Sequence, residues 1–301
     1  MAVVIKVDKI EQSNLAYVVV TDPYYNYCVD LLKSNLEQIK NPVNLILLYF
    51  GFEDYNFNNG YKTIKICIQY EHTLVKVGGR DTNNSEIGGI KNNGKENYLV
   101  RIDRYDYLKN LDFIIEYSKP NIHNISTIKK YDEYLKKNIY IAPIIEINFN
   151  NFNKKDTITL FGSNKSDRRN NFYNKINKYG INCINKFGFT TENELKKLYS
   201  STKILVNIHQ TDHHHTFEEL RVLPALCQGT IIISENVPLK EKIPYSEYII
   251  WCDYDEITNK ILEIQNNYEF FYNKIFNKNL LNQLNELNLN NKLNLKMINK
   301  I

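Results

Sequence analysis

Short apolar runs of strand length alternate along the chain with segments whose apolar residues recur at helical spacing. Residues 44–50 (NLILLYF) and 204–208 (ILVNI) are continuous apolar runs, typical of strands buried on both faces of a sheet. This alternation of strands and helices favours an α/β fold with parallel sheets covered on both faces by helices.

The first half of the chain contains five predicted strands and two predicted helices. Strands are predicted at residues 15–21, 44–50, 61–70, 112–117 and 139–145, and helices at 27–38 and 125–137. Residues 61–70 (YKTIKICIQY) alternate polar and apolar positions, which predicts a strand with one exposed face. The Gly- and Asn-rich residues 72–98 are expected to form a loop or hairpin rather than core.

The second half repeats this organisation after a polar, Asn-rich segment at 146–156, interpreted as a linker. Strands are predicted at 157–161, 181–187, 204–208, 230–234 and 248–252, and helices at 167–179, 192–200, 217–228 and 255–276. The pattern therefore predicts two Rossmann-like lobes, residues 1–150 and 151–277, flanking a central cleft. The Leu/Asn-rich tail at 278–301 is expected to be either an amphipathic helix or a disordered end.

Composition and charge narrow the class of protein. The net charge is +4 and the basic residues are scattered, so nucleic acid is not a favoured partner. Abundant Asn, Lys, Ile and Tyr have AT-rich codons, as in the genome of a large DNA virus or a protist, and this makes scattered Asn and Lys weak evidence for function. Five cysteines without a C-x-x-C pair predict reduced thiols. With no apolar run near 18 residues and no signal peptide, a cytoplasmic protein without a membrane span is expected.

The stretch 206–235 carries the strongest functional signal. It reads as strand, polar loop, helix, glycine stop and strand, with Thr216 and Glu219 spaced as a capping box and Gly229 as the stop. A helix N-terminus at the carboxyl end of a strand attracts anions, and a diphosphate is the obvious candidate. The loop concentrates polar residues at Asn207 and from His209 to His215.

Two further groups of residues could contribute to such a site. Glu218 and Arg221 share one helix face, where they could bind ribose hydroxyls and phosphate or form an ordinary surface ion pair. Gly162-Ser163 follows a strand and precedes Arg168 and Arg169. A glycine admits close approach of a ligand and arginine matches phosphate oxygens, although two arginines on a helix are more often solvated.

Metal binding is not expected. The three adjacent residues His213, His214 and His215 cannot easily face one ion, and no partner stands at a recognised spacing. Asp253 and Asp255 are two positions apart and could form a metal-binding carboxylate pair, but this spacing is common by chance.

Two strand ends in the first half could supply a general base facing the cleft. Glu71-His72 ends one predicted strand, and Glu116-Tyr117-Ser118 ends another. For both segments the alternative is a polar strand end that has no catalytic role.

Three segments together resemble one protein family. FGSNKSDRRNNF, KILVNIHQ and FEELRVLPALCQGTIIISE are similar to the C-terminal lobe of GT-B-fold glycosyltransferases, in the group 1 and CgeB-like branch. The resemblance covers residues 157–252, about a third of the chain. It implies that Gly162, Ser163, Arg168 and Arg169 line the donor diphosphate site. It also implies that residues around the donor sugar, phosphate and ribose are His209, Thr216, Phe217, Glu218 and Arg221.

The function implied by this resemblance is transfer of a sugar from a nucleoside-diphosphate sugar to an acceptor hydroxyl. The reaction would retain anomeric configuration and need neither metal nor cofactor, because the helix dipole and basic side chains stabilise the leaving diphosphate. The acceptor, a glycan, protein or small molecule, would bind the first lobe. Glu71, His72 and His209 are the candidate catalytic residues.

One departure from the family pattern keeps alternatives open. Group 1 enzymes often carry two glutamates eight positions apart, and these positions fall near Thr216 and at Pro224 here. Pro224 also lies within the predicted helix, where proline costs about 3 kcal/mol and predicts a kink. A catalytically degenerate nucleotide-sugar binder or scaffold, a nucleotide-sugar epimerase, and an interaction protein built on the tail are therefore the alternative hypotheses.

Overall fold

The structure, a computed structural model, describes residues 5–9, 16–20, 43–48, 62–69, 71–78, 85–149, 154–162, 166–187, 192–215 and 217–297. The strands in chain order are β1 (Ile5–Lys9), β2 (Ala16–Val20), β3 (Val43–Leu48), β4 (Lys62–Gln69), β5 (Leu74–Lys76), β6 (Ser85–Asn92), β7 (Asn97–Asp103), β8 (Phe113–Glu116), β9 (Asn138–Tyr140), β10 (Lys155–Phe161), β11 (Cys183–Lys186), β12 (Thr202–Asn207), β13 (Ile231–Glu235) and β14 (Ile250–Cys252). The helices are α1 (Tyr105–Leu108), α2 (Lys119–Ser126), α3 (Asp132–Leu135), α4 (Asp167–Lys178), α5 (Glu192–Ser201), α6 (Glu219–Cys227), α7 (Ile257–Asn266), α8 (Tyr268–Ile275) and α9 (Lys278–Leu295).

These elements form two largely parallel sheets and one small antiparallel sheet, so the predicted α/β class is confirmed. The first sheet has the order β1-β2-β3-β4-β8-β9, parallel throughout except for the antiparallel β1–β2 pair. The second is wholly parallel with the order β11-β10-β12-β13-β14. The order of the second sheet reverses between β10 and β12, as in doubly wound Rossmann-like folds.

The larger of the two described hydrophobic clusters is built around the second sheet. The continuous apolar runs of β12 and β13 are buried, as strands covered on both faces must be. Helix α7 covers the sheet with Ile257, Ile261 and Ile264, which recur at the three- and four-residue spacing of one helix face. The apolar periodicity therefore predicted this half of the fold correctly.

Strand β4 corrects the prediction of an exposed face. Ile66, Cys67, Ile68 and Gln69 are all fully buried. Consecutive strand residues point to opposite faces of the sheet, so both faces of β4 are covered in its second half. The lysines that produced the polar alternation lie in its first half.

The hairpin expected within 72–98 exists, but the segment also contributes core, contrary to the prediction. Strands β5, β7 and β6 form the antiparallel sheet in that order. Leu74, Val75 and Tyr98 are buried, and Leu74 and Tyr98 pack in a cluster with residues of α2 and β8. A composition rich in Gly and Asn concealed these apolar positions.

Two long predicted helices are broken. The one predicted at 125–137 is α2, a 3-10 turn at Lys129–Tyr131, and α3. It starts earlier because the Ser118 hydroxyl accepts the backbone N–H of Asn121 and Pro120 occupies the first turn. The one predicted at 255–276 is α7 and α8, separated by the non-helical backbone of Asn267.

The strand predicted at 139–145 ends at Tyr140 because a side chain takes over its hydrogen bonds. The backbone N–H and C=O of Ala142 both pair with the amide of Asn291 on α9, each at 2.8 Å. The tail is therefore helical, and its disordered alternative is wrong over residues 278–295. Leu280, Leu284 and Leu287 of α9 are buried.

The described residues of the segment 146–156, predicted to be a linker, contact the second half of the chain. Asn148 donates its backbone N–H to the carbonyl of Cys227 at 2.7 Å, and Phe149 packs against Phe276. Its described residues are therefore attached to the core of the second sheet. The predicted helix at 27–38 lies outside the described residues. Of the cysteines predicted to be reduced, four are described and all are free.

Candidate functional site

The candidate site lies at the carboxyl ends of β10 and β12, where the strand order of the second sheet reverses. Ligands of open α/β sheets bind at such a reversal. Helix α4 begins beside it, with the Ser166 hydroxyl accepting the backbone N–H of Arg169 at 3.2 Å. The same hydroxyl donates to the carbonyl of Gln210 at 2.5 Å. The start of α4 is therefore tied to the loop after β12.

Three arginines, Arg168, Arg169 and Arg221, extend their guanidinium groups into this region. Arg168 pairs with Glu235, lies 3.4 Å from an oxygen of Asp212, and stacks on the ring of Tyr254. Arg169 is buried and donates Nε–H to the carbonyl of Ile208 at 2.8 Å.

Glu218 connects two of these arginines. Its carboxylate oxygens lie 3.5 Å from Arg169 and 3.8 Å from Arg221. Burial alone would raise the pKa of Glu218, but Arg221, His72 and Arg169 outweigh it and hold that pKa well below its usual value. Glu218 is therefore ionised at neutral pH.

Glu235, the last residue of β13, organises the other side of the site. Its carboxylate accepts the backbone N–H of His209 at 2.6 Å and pairs with Arg168. Burial raises the pKa of Glu235, against the opposing effect of these two partners. Sequence reasoning missed this residue, although a carboxylate ending an apolar strand beside β12 was a usable signal.

His209 is a buried, neutral imidazole. Burial, with His215 and the neighbouring arginines, lowers its pKa well below the usual value. Its ring stacks on His215 at a centroid distance of 5.2 Å. Nε2 of His209 has no hydrogen-bond partner within the described part of the chain, which leaves this nitrogen for a ligand.

The first sheet reaches this site through His72 rather than Glu71. His72 Nε2 lies 3.8 Å from an oxygen of Glu218. Glu71, half exposed, lies 3.6 Å from the buried guanidinium of Arg101 instead. The structure thus brings together His72, His209, Arg168, Arg169, Glu218 and Arg221. Glu71 pairs with Arg101 and lies within electrostatic range of His72 and Glu218.

The remaining predicted site residues have different surroundings. A Cβ on Gly162 would lie 2.4 Å from the side-chain oxygen of Asn185 and 2.7 Å from the ring of Phe187, so a larger residue here would require these side chains to move. Phe217 is buried, and its ring packs against that of Trp251 with 4.9 Å between the ring centroids. Ser163 and Thr216 lie outside the described residues.

Helix α6 begins at Glu219, two residues later than predicted. The carboxylate of Glu219 accepts the hydroxyl of Tyr245 at 2.8 Å, while the capping partner Thr216 is not described. Gly229, with φ of 67°, ends the helix as predicted. Pro224 lies inside α6 and is buried; the kink it was expected to cause stays a prediction.

The histidine loop is held by neighbouring side chains. His215 Nδ1 lies 2.9 Å from the hydroxyl of Tyr98, and His214 Nδ1 lies 2.8 Å from that of Thr211. Asp253 caps a 3-10 turn together with Glu256. Over the described ranges, no three His, Cys, Asp or Glu side chains are grouped so as to hold a metal ion.

Fold and site together define a mixed α/β protein, consistent with a Rossmann-like fold, with a charged site at a strand-order reversal. No model of a protein family matches the chain. It is similar to "Uncharacterized protein R358" of Acanthamoeba polyphaga mimivirus, with 32% identity over 200 residues, 60% of this chain. The chain spans 65% of the length of that relative. None of the described helices combines the length and apolar character needed to cross a membrane.

Proposed function

We propose that the protein is a GT-B-type glycosyltransferase that moves a sugar from a nucleoside-diphosphate sugar to an acceptor hydroxyl. The observation that supports this most is the convergence of Arg168, Arg169 and Arg221 beside the start of α4, at the reversal between β10 and β12. Guanidinium groups match phosphate oxygens, and a helix N-terminus adds a favourable dipole.

The charges of the site suit a diphosphate leaving group without a metal. Three guanidinium groups face two buried carboxylates, Glu218 and Glu235, and one exposed carboxylate, Asp212, whose place beside Arg168 a phosphate would take. The carboxylates also hold the arginines in fixed positions before the ligand arrives. Such prearranged donors stabilise charge that develops on the leaving group.

The two imidazoles are assigned to the sugar and the acceptor rather than to the phosphates. His209 offers its free Nε2 for one hydrogen bond to a sugar hydroxyl or the bridging oxygen. His72, on the opposite side of Glu218, would face the acceptor. In this proposal the first lobe, residues 1–150, presents the acceptor and the second, residues 151–277, binds the donor.

Thermal unfolding in the presence of nucleoside diphosphates and nucleotide sugars, with and without magnesium, tests the donor site. A ligand at about 100 times its dissociation constant should stabilise the protein by about 2.7 kcal/mol. We expect one base to be preferred, no requirement for magnesium, and loss of the shift in Arg168→Ala. Lys178→Ala, at the exposed far end of α4, is the matched control and should keep the shift.

Turnover then separates the transferase from its alternatives. Release of nucleoside diphosphate that depends on an acceptor supports transfer. Conversion of the donor sugar without an acceptor would indicate an epimerase, and binding without either reaction a degenerate binder. A panel in which no nucleotide shifts the unfolding temperature would refute the donor site.

A further inference from the structure

The small antiparallel sheet of the first half is attached to the histidine loop (residues 208–215), which follows β12 in the second half. The backbone N–H of Lys76 on β5 donates to the carbonyl of His213 at 3.0 Å. The hydroxyl of Tyr98 on β7 lies 2.9 Å from His215 Nδ1, and the two rings meet edge to face with 5.8 Å between their centroids. Residues of the first half therefore hold a loop of the second half.

An ionised carboxylate strengthens this attachment. Glu96 Oε2 accepts the hydroxyl of Tyr98 at 2.8 Å and lies 3.3 Å from His215 Nδ1, while Oε1 pairs with Lys76 Nζ at 2.5 Å. Hydrogen bonds from Lys76 and Tyr98 lower the pKa of Glu96, so this group is charged at neutral pH. Because hydrogen bonds to a charged group are stronger than neutral ones, Glu96 and Tyr98 together fix the Nδ1 edge of the His215 ring.

His215 in turn faces the ring of His209. The two imidazoles are stacked, with 5.2 Å between their centroids and 20° between their planes. The backbone N–H of His209 is held by Glu235 at 2.6 Å, which fixes the residue but not the rotation of its ring. The last torsion of a histidine side chain has broad energy minima, so a stacked neighbour restricts it. The orientation of the His209 ring therefore depends on where His215 is held.

We propose that Glu96 and Tyr98 are positioning residues for His209 and act on it through His215. The inference rests on the proposed function, in which His209 contacts the donor sugar, and adds that the first half of the chain orients this contact. A binding group that is already oriented loses less conformational freedom when its ligand arrives. Breaking the network should therefore weaken binding of the sugar, but not of the diphosphate, which is assigned to the arginines.

Two variants break the network and a third serves as the matched control. Tyr98→Phe keeps the buried ring and removes its hydroxyl, and Glu96→Gln removes the charge but keeps an oxygen for Tyr98. Tyr131→Phe makes the same chemical change as Tyr98→Phe in the same hydrophobic cluster, but its lost hydrogen bond goes to the carbonyl of Glu86 at 2.6 Å. The control thus separates a general loss of stability from an effect on the histidine loop.

Nuclear magnetic resonance spectra of the imidazole rings in the full-length protein without ligand test the positioning directly. The shifts of ring protons depend on neighbouring rings, so we expect the signals of His215 and His209 to move in Tyr98→Phe and in Glu96→Gln. Both sets of signals should keep their positions in Tyr131→Phe. Unchanged His209 signals in a folded Tyr98→Phe protein, or equal changes in Tyr131→Phe, would overturn the proposal.

Calorimetric titration then measures the consequence for the donor, with UDP and UDP-glucose, and GDP and GDP-mannose, as probe pairs. For the pair that binds, Tyr98→Phe should weaken the nucleotide sugar about tenfold, the effect of one lost hydrogen bond, and leave the diphosphate within about twofold. Glu96→Gln should act in the same direction. Unchanged binding of the nucleotide sugar, or equal weakening of both members of the pair, would overturn the positioning role. If neither diphosphate binds, the proposed donor site fails, and the imidazole spectra alone decide whether Tyr98 positions His209.

Discussion

At the residue scale, buried carboxylates set the electrostatics of this protein. Glu218 and Glu235 are each paired with arginine, and the pKa of Glu218 is held low by its partners. Glu116 has no such partner, and burial raises its pKa to about 8 despite the hydrogen bonds from Ser118 and Asn121. Glu218 and Glu116 thus have opposite shifts because Glu218 faces two guanidinium groups and Glu116 faces none, whereas a single guanidinium does not offset the burial of Glu235.

Glu116 should make the stability of the protein depend on pH. Its pKa is raised from 4.5 to about 8, so between these values the unfolded chain releases a proton that the native protein retains. Stability is therefore full below pH 4.5 and falls as pH rises towards 8. Glu116→Gln, which mimics the protonated acid, should remove part of this fall, roughly 2 to 5 kcal/mol.

Urea unfolding of both proteins at pH 5 and pH 8 measures this effect. Glu133→Gln, in an exposed pair with Lys136, serves as the control and should follow the unaltered protein at both values. An identical pH dependence in Glu116→Gln would mean that Glu116 is ionised in the native protein.

At the element scale, the described ends of the chain's helices and strands are set by particular side chains rather than by periodicity. β9 stops at Tyr140 because Asn291 of α9 takes both backbone groups of Ala142. α2 starts at Lys119 because Ser118 caps it. The Asn291 contact joins positions far apart in sequence, so a local apolar pattern identifies the strand but not its last residue.

Asn291 should therefore contribute strongly to stability. Asn291→Ala leaves the buried backbone N–H of Ala142 without a partner, while the C=O of Ala142 keeps the N–H of Ile144 at 2.8 Å. We expect the free energy of unfolding to fall by about 1 to 3 kcal/mol. Denaturant unfolding gives the value directly. Asn285→Ala, on the exposed face of the same helix, should change it by less than about 0.5 kcal/mol. Similar values for the two variants would contradict the anchoring role of Asn291.

At the scale of the whole molecule, the sequence predicted the parallel sheets better than the site. The apolar runs identified β3, β8, β10, β12 and β13, because strands buried on both faces have little choice of residue. The order of strands and the approach of His72 to Glu218 depend on tertiary packing, which no local pattern contains. Glu235 was missed for the same reason, because its partners His209 and Arg168 lie in other elements.

The resemblance to glycosyltransferases named most residues that the structure brings together in the second half. Arg168, Arg169, His209, Glu218 and Arg221 are connected through the two carboxylates of the site. Gly162 packs against the side chains of Asn185 and Phe187, a contact that the sequence alone does not reveal. The donor site therefore stays a proposal that rests on charge and position.

A crystal structure of the protein with the nucleoside diphosphate that stabilises it most would test the central claim directly. We expect the diphosphate beside the first turn of α4, with its oxygens within hydrogen-bond distance of Arg168, at the carboxyl ends of β10 and β12. A diphosphate bound away from this reversal, or none at saturating concentration, would contradict the assignment of this site and the transferase proposed from it.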